Sequence, residues 1–462
     1  MPPSVVFPAS AVVYVGRMET FRCANVFELY RKIVCPRVVQ GLVRQHGLRV
    51  RTRIYPLGVL WWLMIKQRLE APGTLAQAVS HRIRDRWGSL LPRGRRKRRT
   101  ISARTGGYCR ARKRVARAVL QEITQVLTAG LQKQWEEQRP PGGRPVYVID
   151  GSSLQLQHRA DLLRNYPPAP NQHGRSHWPI LQVAVLHDAR SGLALLPAWG
   201  PMYGPGAVSE QALAERLLDQ LPPEAVLLGD RNFGIFHTAY AVQQRQRAVV
   251  VRLTKPRARK LGGSRLPSGT DRAVVWKPSS HDRQAHPGLP ADAAVTGRVL
   301  VCALAGRREQ LYLFTTLDLP AHEVVQLYGL RWNIETDLRS LKQTVRLHRL
   351  TGNSLDMMEK EILAAIAAYN LIRTVLCLAA REANLDPRQL SFSQVLYLVN
   401  AFWPDLLAET SPSRCRRELR RLIRLAGSCK LPQRRHPRSY PRAVWGRGYR
   451  FPTRHETNSQ SK

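Results

Sequence analysis

The chain has 462 residues, with 73 Lys plus Arg against 32 Asp plus Glu, a formal net charge of +41 at pH 7. That length admits two or three domains and at least one large core. A positive excess this large, spread over most of the chain, goes far beyond what solubility requires and points to nucleic-acid phosphate; membrane attachment is the weaker reading, because no basic amphipathic anchor or lipidation signal accompanies it.

Residues 1 to about 140 read as mostly helical, with apolar periodicity over Val26–Val43 and Leu57–Leu69. The apolar run Tyr55–Ile65 is too short to span a bilayer, and the N-terminus lacks the basic-then-apolar pattern of a secretion signal. Thr74 with Gln77 predicts a capping box for the following helix. The basic run Arg93–Arg99 leads into Thr105-Gly-Gly-Tyr108-Cys-Arg-Ala-Arg-Lys-Arg-Val115. The two glycines predict a break before a long helix over about 108–135. Arg110, Arg112, Lys113 and Arg114 in its first turns suit a DNA groove, the alternative being a solvated basic helix.

Pro140-Pro-Gly-Gly143 marks a boundary, after which the pattern turns to strands. Val146–Ile149 is an apolar run ending in Asp150. Ile180–Leu186 and Leu193–Leu196 flank a predicted hairpin turn at His187–Gly192, and Ser209–Leu221 reads as a helix. Ala225–Leu228 is a second buried strand, ending at Gly229-Asp230-Arg-Asn-Phe233. Strands, a helix and another strand together indicate a mixed α/β core. Short β-like segments then occupy 235–320, separated by basic loops rich in Gly and Pro. A helix bearing Glu335 follows, then a long helix over about 355–383 and a basic tail that includes Arg434–Arg442. The expected divisions are therefore 1–140 (helical, basic, DNA-binding), 141–234 (first part of the core), 235–320 (β-rich insertion), 321–385 (second part of the core) and 386–462 (helical segment and tail). The seven cysteines are odd in number and never spaced Cys-x-x-Cys, which supports neither a zinc motif nor a disulfide framework and fits a reducing cytosol.

On a helix turning about 100° per residue, Tyr328, Arg331, Glu335 and Lys342 fall within roughly a 60° arc. Leu327, Leu330, Ile334, Leu338, Leu341 and Val345 form an apolar stripe beside it. Asp150 and Asp230, each at the end of an apolar strand, can converge with Glu335 at one edge of a sheet. Carboxylates gathered so closely repel unless a divalent cation neutralises them. Hard oxygen donors suit Mg²⁺, or Mn²⁺ in its place, and two such ions can clamp an in-line phosphodiester displacement. Each acid alone also has an ordinary explanation, as a strand-end turn residue or part of a solvated face. Asp161, Asp188 and Asp337 look ordinary: Asp188 fits a turn, and Asp337 lies off the charged row.

The intact pattern Tyr-x2-Arg-x3-Glu-x6-Lys at Tyr328, Arg331, Glu335 and Lys342, with Val148-Ile-Asp150-Gly-Ser and Gly229-Asp230-Arg-Asn-Phe233, resembles the signature of bacterial DDE transposases of the insertion-sequence-four family. The β-rich segment, the basic stretch Tyr108–Val115 and the Pro/Arg tail are similar too. The resemblance covers most of the chain and is weakest over the first 70 residues. It implies a ribonuclease H-like core and cut-and-paste transposition, with Asp150, Asp230 and Glu335 binding two Mg²⁺. Water would nick the element end, and the freed 3′-hydroxyl would form a hairpin that is reopened before joining to target DNA. Tyr328, Arg331 and Lys342 would hold phosphates near the end of the non-transferred strand. A tryptophan of the insertion would stack a flipped base; Trp276 is the only one between Asp230 and Pro320, with a buried structural role as its alternative. The implied partners are terminal inverted repeats, target DNA and a second protomer in the DNA complex, with no membrane. The implied location is the bacterial cytoplasm, at the nucleoid through DNA. A stand-alone metal-dependent nuclease and a DNA-binding protein without catalysis are the competing readings.

Overall fold

A computed structural model of the protein describes residues 54–85, 101–136, 143–172, 174–303, 309–408 and 411–432, with isolated positions before them. The expected helix over Val26–Val43, the Arg93–Arg99 run, most of the Pro140–Gly143 boundary and the Arg434–Arg442 tail lie outside these residues.

Among the described residues, four helices precede the sheet: α1 (Leu57–Leu69), α2 (Leu75–Arg84), α3 (Gly106–Arg114) and α4 (Arg117–Glu136). The Thr74 hydroxyl accepts the Gln77 N–H at 3.1 Å, and the Gln77 side chain accepts the Gly73 N–H at 2.9 Å, so α2 is capped nearly as expected. The expected continuous helix over 108–135 is instead two helices, because Val115 adopts an extended conformation with ψ 130°. Gly106 and Gly107 do not break the chain; they form the first turn of α3.

The sheet contains β1 (Val146–Gln155), β2 (Pro168–Asn171), β3 (Gly174–Asp188), β4 (Ala198–Pro201), β5 (Val226–Gly229), β6 (Ala248–Arg252), β7 (Asp271–Trp276), β8 (Val295–Ala303) and β9 (Gln310–Thr315). Their order is β2-β3-β1-β5-β6-β9-β8-β7, with β4 on β3. β1 runs antiparallel to β3 and parallel to β5, and β5 is parallel to β6. This antiparallel-then-parallel arrangement is the expected ribonuclease H-like mixed sheet. Leu193–Leu196, expected as a strand, makes only an isolated bridge between Ala194 and His187. The helix expected over Ser209–Leu221 is short, α6 (Glu210–Glu215), followed by a 3-10 turn at Leu218–Gln220; α5 (Ala160–Asn165) precedes it in the chain. The expected boundary at 235 does not interrupt the sheet. α7 (Phe236–Gln244) crosses to β6 beside β5, and β9, β8 and β7 extend the sheet from β6. Two further short helices, α8 (Lys255–Gly262) and α9 (Ser280–Ala285), lie between these strands.

Alternation along the strands separates two cores. Val146, Val148, Val226, Leu228 and Val250 belong to one, and Tyr147, Ile149, Leu227, Val249 and Val251 to the other. The second core is covered by α6, α7 and α8. The first is covered by the N-terminal helices and by α10 (Ala321–Gly329), α11 (Asn333–Arg339), α12 (Leu355–Glu382), α13 (Phe392–Ala408) and α14 (Pro412–Gly427). α12 is buried around its whole circumference because α1, α4, α13 and α14 surround it. By length and composition it is the one helix among the described residues that could cross a membrane, yet its apolar stretch is wholly buried in the fold.

Candidate active site

The sheet register brings the two strand acids together. β1 and β5 pair from Val146–Val226 to Val148–Leu228, so two residues further on Asp150 comes beside Asp230. β5 ends at Gly229 while β1 continues to Gln155 against β3, leaving a notch along the unpaired edge of β1. The Gly151 N–H donates to Asp150 Oδ1 at 2.8 Å, and the Asn232 N–H donates to Asp230 Oδ1 at 2.8 Å. Burial pushes the Asp150 carboxyl up to about 6 against the Gly151 hydrogen bond, and the Asp230 charge adds to the rise.

The row from Tyr328 to Lys342 spans the end of α10, a 3-10 turn at Leu330–Trp332, α11 and a π-turn at Ser340–Thr344. It is thus a chain of helical segments with altered winding instead of one uniform helix. The row still faces the notch. Lys342 Nζ donates to Ser152 Oγ at 2.7 Å and to the Ser153 carbonyl at 3.2 Å. Burial lowers the proton affinity of that amine. Burial also pushes the Tyr328 hydroxyl up to about 12; Arg331, Arg252 and Asp230 are its charged neighbours. The Tyr328 oxygen is buried without a hydrogen-bond partner among the described residues. Glu335 is half exposed and lies 3.8 Å from Arg331, and its charge is felt at Asp150.

Asp337, which looked ordinary, anchors this row. It is fully buried and bonded to Arg373 of α12, and Arg388 Nη1 lies 2.6 Å from the same carboxylate oxygen. Ile334, Asp337, Leu338 and Leu341 follow helical spacing, so Asp337 belongs to the buried stripe; that spacing was the available signal. Asp188 is a turn residue as expected, accepting the Arg190 and Ser191 N–H groups at 3.1 and 2.7 Å.

Glu210, at the start of α6, escaped the sequence reading. Its carboxylate covers Gly151: a Cβ built there would lie 1.7 Å from Glu210 Oε1. The Asn232 side chain donates to the other Glu210 oxygen, and Gln211 Nε2 donates to Asn232 Oδ1 at 2.6 Å. Burial pushes Glu210 up to about 7, with further increases from Asp150 and Asp230. In sequence, Ser209-Glu210 reads only as a helix cap followed by an acid favourable to the helix dipole.

Two other expectations are corrected. Trp276 is only 5% exposed and packs against Phe314 and Phe236, with ring centroids at 4.9 and 6.1 Å, so its faces are not open to a base. Arg112 is buried, with Nη2 2.8 Å from Glu361 of α12, whereas Arg110, Lys113 and Arg114 on the same helix are exposed. The exposed aromatic nearest the charged row in sequence is Trp332, 52% exposed, with the Arg331 guanidinium 4.5 Å from its ring centroid.

Residues 141–371, half of the chain, match the family model described as Transposase DDE domain. The chain belongs to the DDE transposases. It is also 28% identical over 434 residues to transposase InsG for insertion sequence element IS4 of Escherichia coli (strain K12), covering 90% of this chain and 92% of that protein. This likeness agrees with the expected insertion-sequence-four resemblance, and the protein is a DNA transposase, an enzyme that cleaves and transfers DNA. A cryo-EM structure of the piggyBac transposase synaptic complex with hairpin DNA is similar at a TM-score of 0.43 and 13% identity, over 86% of this chain and 85% of that one.

The acids of this candidate site suit a divalent cation in kind. Asp150, Asp230, Glu210 and Glu335 offer hard oxygen donors, and burial, with repulsion from the neighbouring acids, raises the Asp150 and Glu210 carboxyls. The expected convergence is incomplete, however. Among the described residues no three acids, histidines or cysteines are drawn closely enough together to hold a metal ion as they stand. A cation shared with Glu335 therefore requires that carboxylate to leave Arg331 and turn toward Asp150.

Proposed function

We propose that this transposase excises and reinserts its element by cut-and-paste chemistry at the notch beside β1, with Asp150, Asp230 and Glu335 holding two Mg²⁺, for which Mn²⁺ can substitute. The observation that carries the reading is the β1–β5 register, which sets Asp150 beside Asp230 where their charges interact, facing the row from Tyr328 to Lys342. When bound, two divalent ions supply electrostatic stabilisation to the attacking and leaving oxygens of a phosphodiester.

The chain's own groups then divide the remaining work. Arg331 offers a planar fork for a phosphate, Lys342 a compact charge and Tyr328 a hydroxyl donor with no other partner. Ser152 holds the Lys342 ammonium at the notch, so the cation is positioned before DNA arrives. Asp337 fixes the helical row against α12 through the two arginines. Arg110, Lys113 and Arg114 extend the basic surface on α3 and contact the DNA backbone. The excised end passes through a hairpin, and a homodimer holds the two ends, acting on terminal inverted repeats and then on target DNA.

Cleavage of a labelled duplex carrying the element's own end, with Mg²⁺ or Mn²⁺, tests this reading in the natural protein and in Glu335→Gln. The expected result is a cut at the element boundary with a hairpin product, lost in the variant while end binding persists. Binding without cutting in both proteins would leave an inactive DNA-binding copy. Cutting indifferent to the end sequence would indicate a stand-alone nuclease.

A further inference from the structure

Gly151 is the residue after Asp150, and its backbone does not occupy the left-handed region that favours glycine. Its lack of a side chain matters for a different reason: the Glu210 carboxylate occupies the space that a Cβ would take. Glu210 reaches this point from α6, whose Leu213 and Ala214 belong to the second core, while Glu335 follows Ile334 on a helix packed in the first. The two glutamates therefore approach the strand ends from opposite faces of the sheet. The notch makes this possible, since β5 stops at Gly229 and leaves β1 open beside Asp150 and Gly151.

Asn232 ties Glu210 to the site. Its backbone N–H holds Asp230 Oδ1 at 2.8 Å and its side-chain amide donates to Glu210, while Gln211 fixes the amide's orientation through Oδ1 at 2.6 Å. Asp230 and Glu210 are thus positioned by one residue, and no cation is paired with Glu210 among the described residues. A half-buried helix-start glutamate with a purely structural role would be expected to face an arginine, a lysine or a set of backbone N–H groups.

We infer that Glu210 is a fourth carboxylate of the divalent-cation site, entering from the face opposite Glu335 and held in place by Asn232. The inference rests on the metal-dependent reading above. It predicts that Glu210→Gln, which keeps the shape and removes the charge, weakens Mn²⁺ binding. It also predicts that Gly151→Ala, which adds one methyl group where the carboxylate lies, has the same effect by displacing Glu210 while leaving Asp150, Asp230 and Glu335 in place.

The test is titration of the full chain with Mn²⁺, with free ion followed by electron paramagnetic resonance, after melting curves show that each variant is folded. Glu210→Gln and Gly151→Ala should each lower Mn²⁺ affinity by about tenfold or more. The double variant should lose no more than either single one, because both remove the same carboxylate. Asp230→Asn is the reference. If Asp230→Asn weakens binding while Glu210→Gln matches the natural protein, Glu210 is not a ligand and the metal-dependent reading stands. If neither changes binding, both are overturned. Additive losses in the double variant would make Gly151 and Glu210 independent structural positions and overturn the shared-carboxylate inference.

Discussion

The protein treats its buried carboxylates in two opposite ways. Glu361, on α12, is saturated: Arg68 and Arg112 each lie 2.8 Å away, and it accepts the Thr351 and Gly352 N–H groups at 2.7 and 3.2 Å. Burial alone would raise its proton affinity, but the two arginines and Thr351 outweigh that and hold it below the usual carboxylate range. At the notch, Asp150 and Glu210 are half-buried with few compensating donors, and both move upward, to about 6 and about 7. A saturated buried acid holds elements together. An under-compensated group of acids is a place prepared for something else's positive charge.

The largest expected effect lies at the saturated end. Glu361→Ala leaves Arg68 and Arg112 buried without their partner and detaches α1 and α3 from α12, which should cost about 3–5 kcal/mol in chemical denaturation. A loss below about 1 kcal/mol would mean that the network is relieved by solvent and that the contrast with the notch is weaker than drawn.

The notch should behave in the reverse sense. Asp150 and Glu210 bind protons more tightly in the folded protein, at about 6 and about 7, than their ordinary 3.8 and 4.5. The stability they contribute is therefore full below about pH 4 and lost as pH rises through 6 to 7. Without metal, the melting temperature should fall across that window; Asp150→Asn should remove part of the slope, abolish cleavage and leave the variant no less stable at pH 7. Mn²⁺ should raise the melting temperature of the natural protein most above pH 7, where both acids are ionised. A metal-free profile identical in Asp150→Asn and the natural protein would show that Asp150 is already compensated.

The smallest effect on stability belongs to the exposed cations of α3. Replacing Arg110, Lys113 and Arg114 together by alanine should change stability by less than about 0.5 kcal/mol per site. It should also flatten the dependence of log DNA affinity on log salt by about 0.9 for each lost duplex phosphate contact. An unchanged slope would remove α3 from the DNA surface.

Much of this was legible in the chain. The runs Val146–Ile149 and Ala225–Leu228 end in acids, and such runs become buried central strands whose ends define a sheet edge. The fold class and the meeting of Asp150 with Asp230 follow from that. What could not be read was the company each charge keeps. Arg112 resembles its basic neighbours in sequence, although it shares the buried face of α3 with Tyr108, four residues earlier. That Trp276 is the only tryptophan between Asp230 and Pro320 carries no information about its burial. Glu210 was hidden because its partners, Gly151 and Asn232, come from β1 and the turn after β5, and only the folded sheet brings the three together.

α12 has a consequence for how the enzyme is made. β1 is synthesised at Val146–Gln155, but the helix that covers its first face, pairs Asp337 and saturates Glu361 is not complete until Glu382. A chain halted between Asp230 and Leu355 has both strand acids but leaves one face of the sheet bare. Such a fragment exposes apolar surface that the complete chain buries, so the sheet closes only late in synthesis.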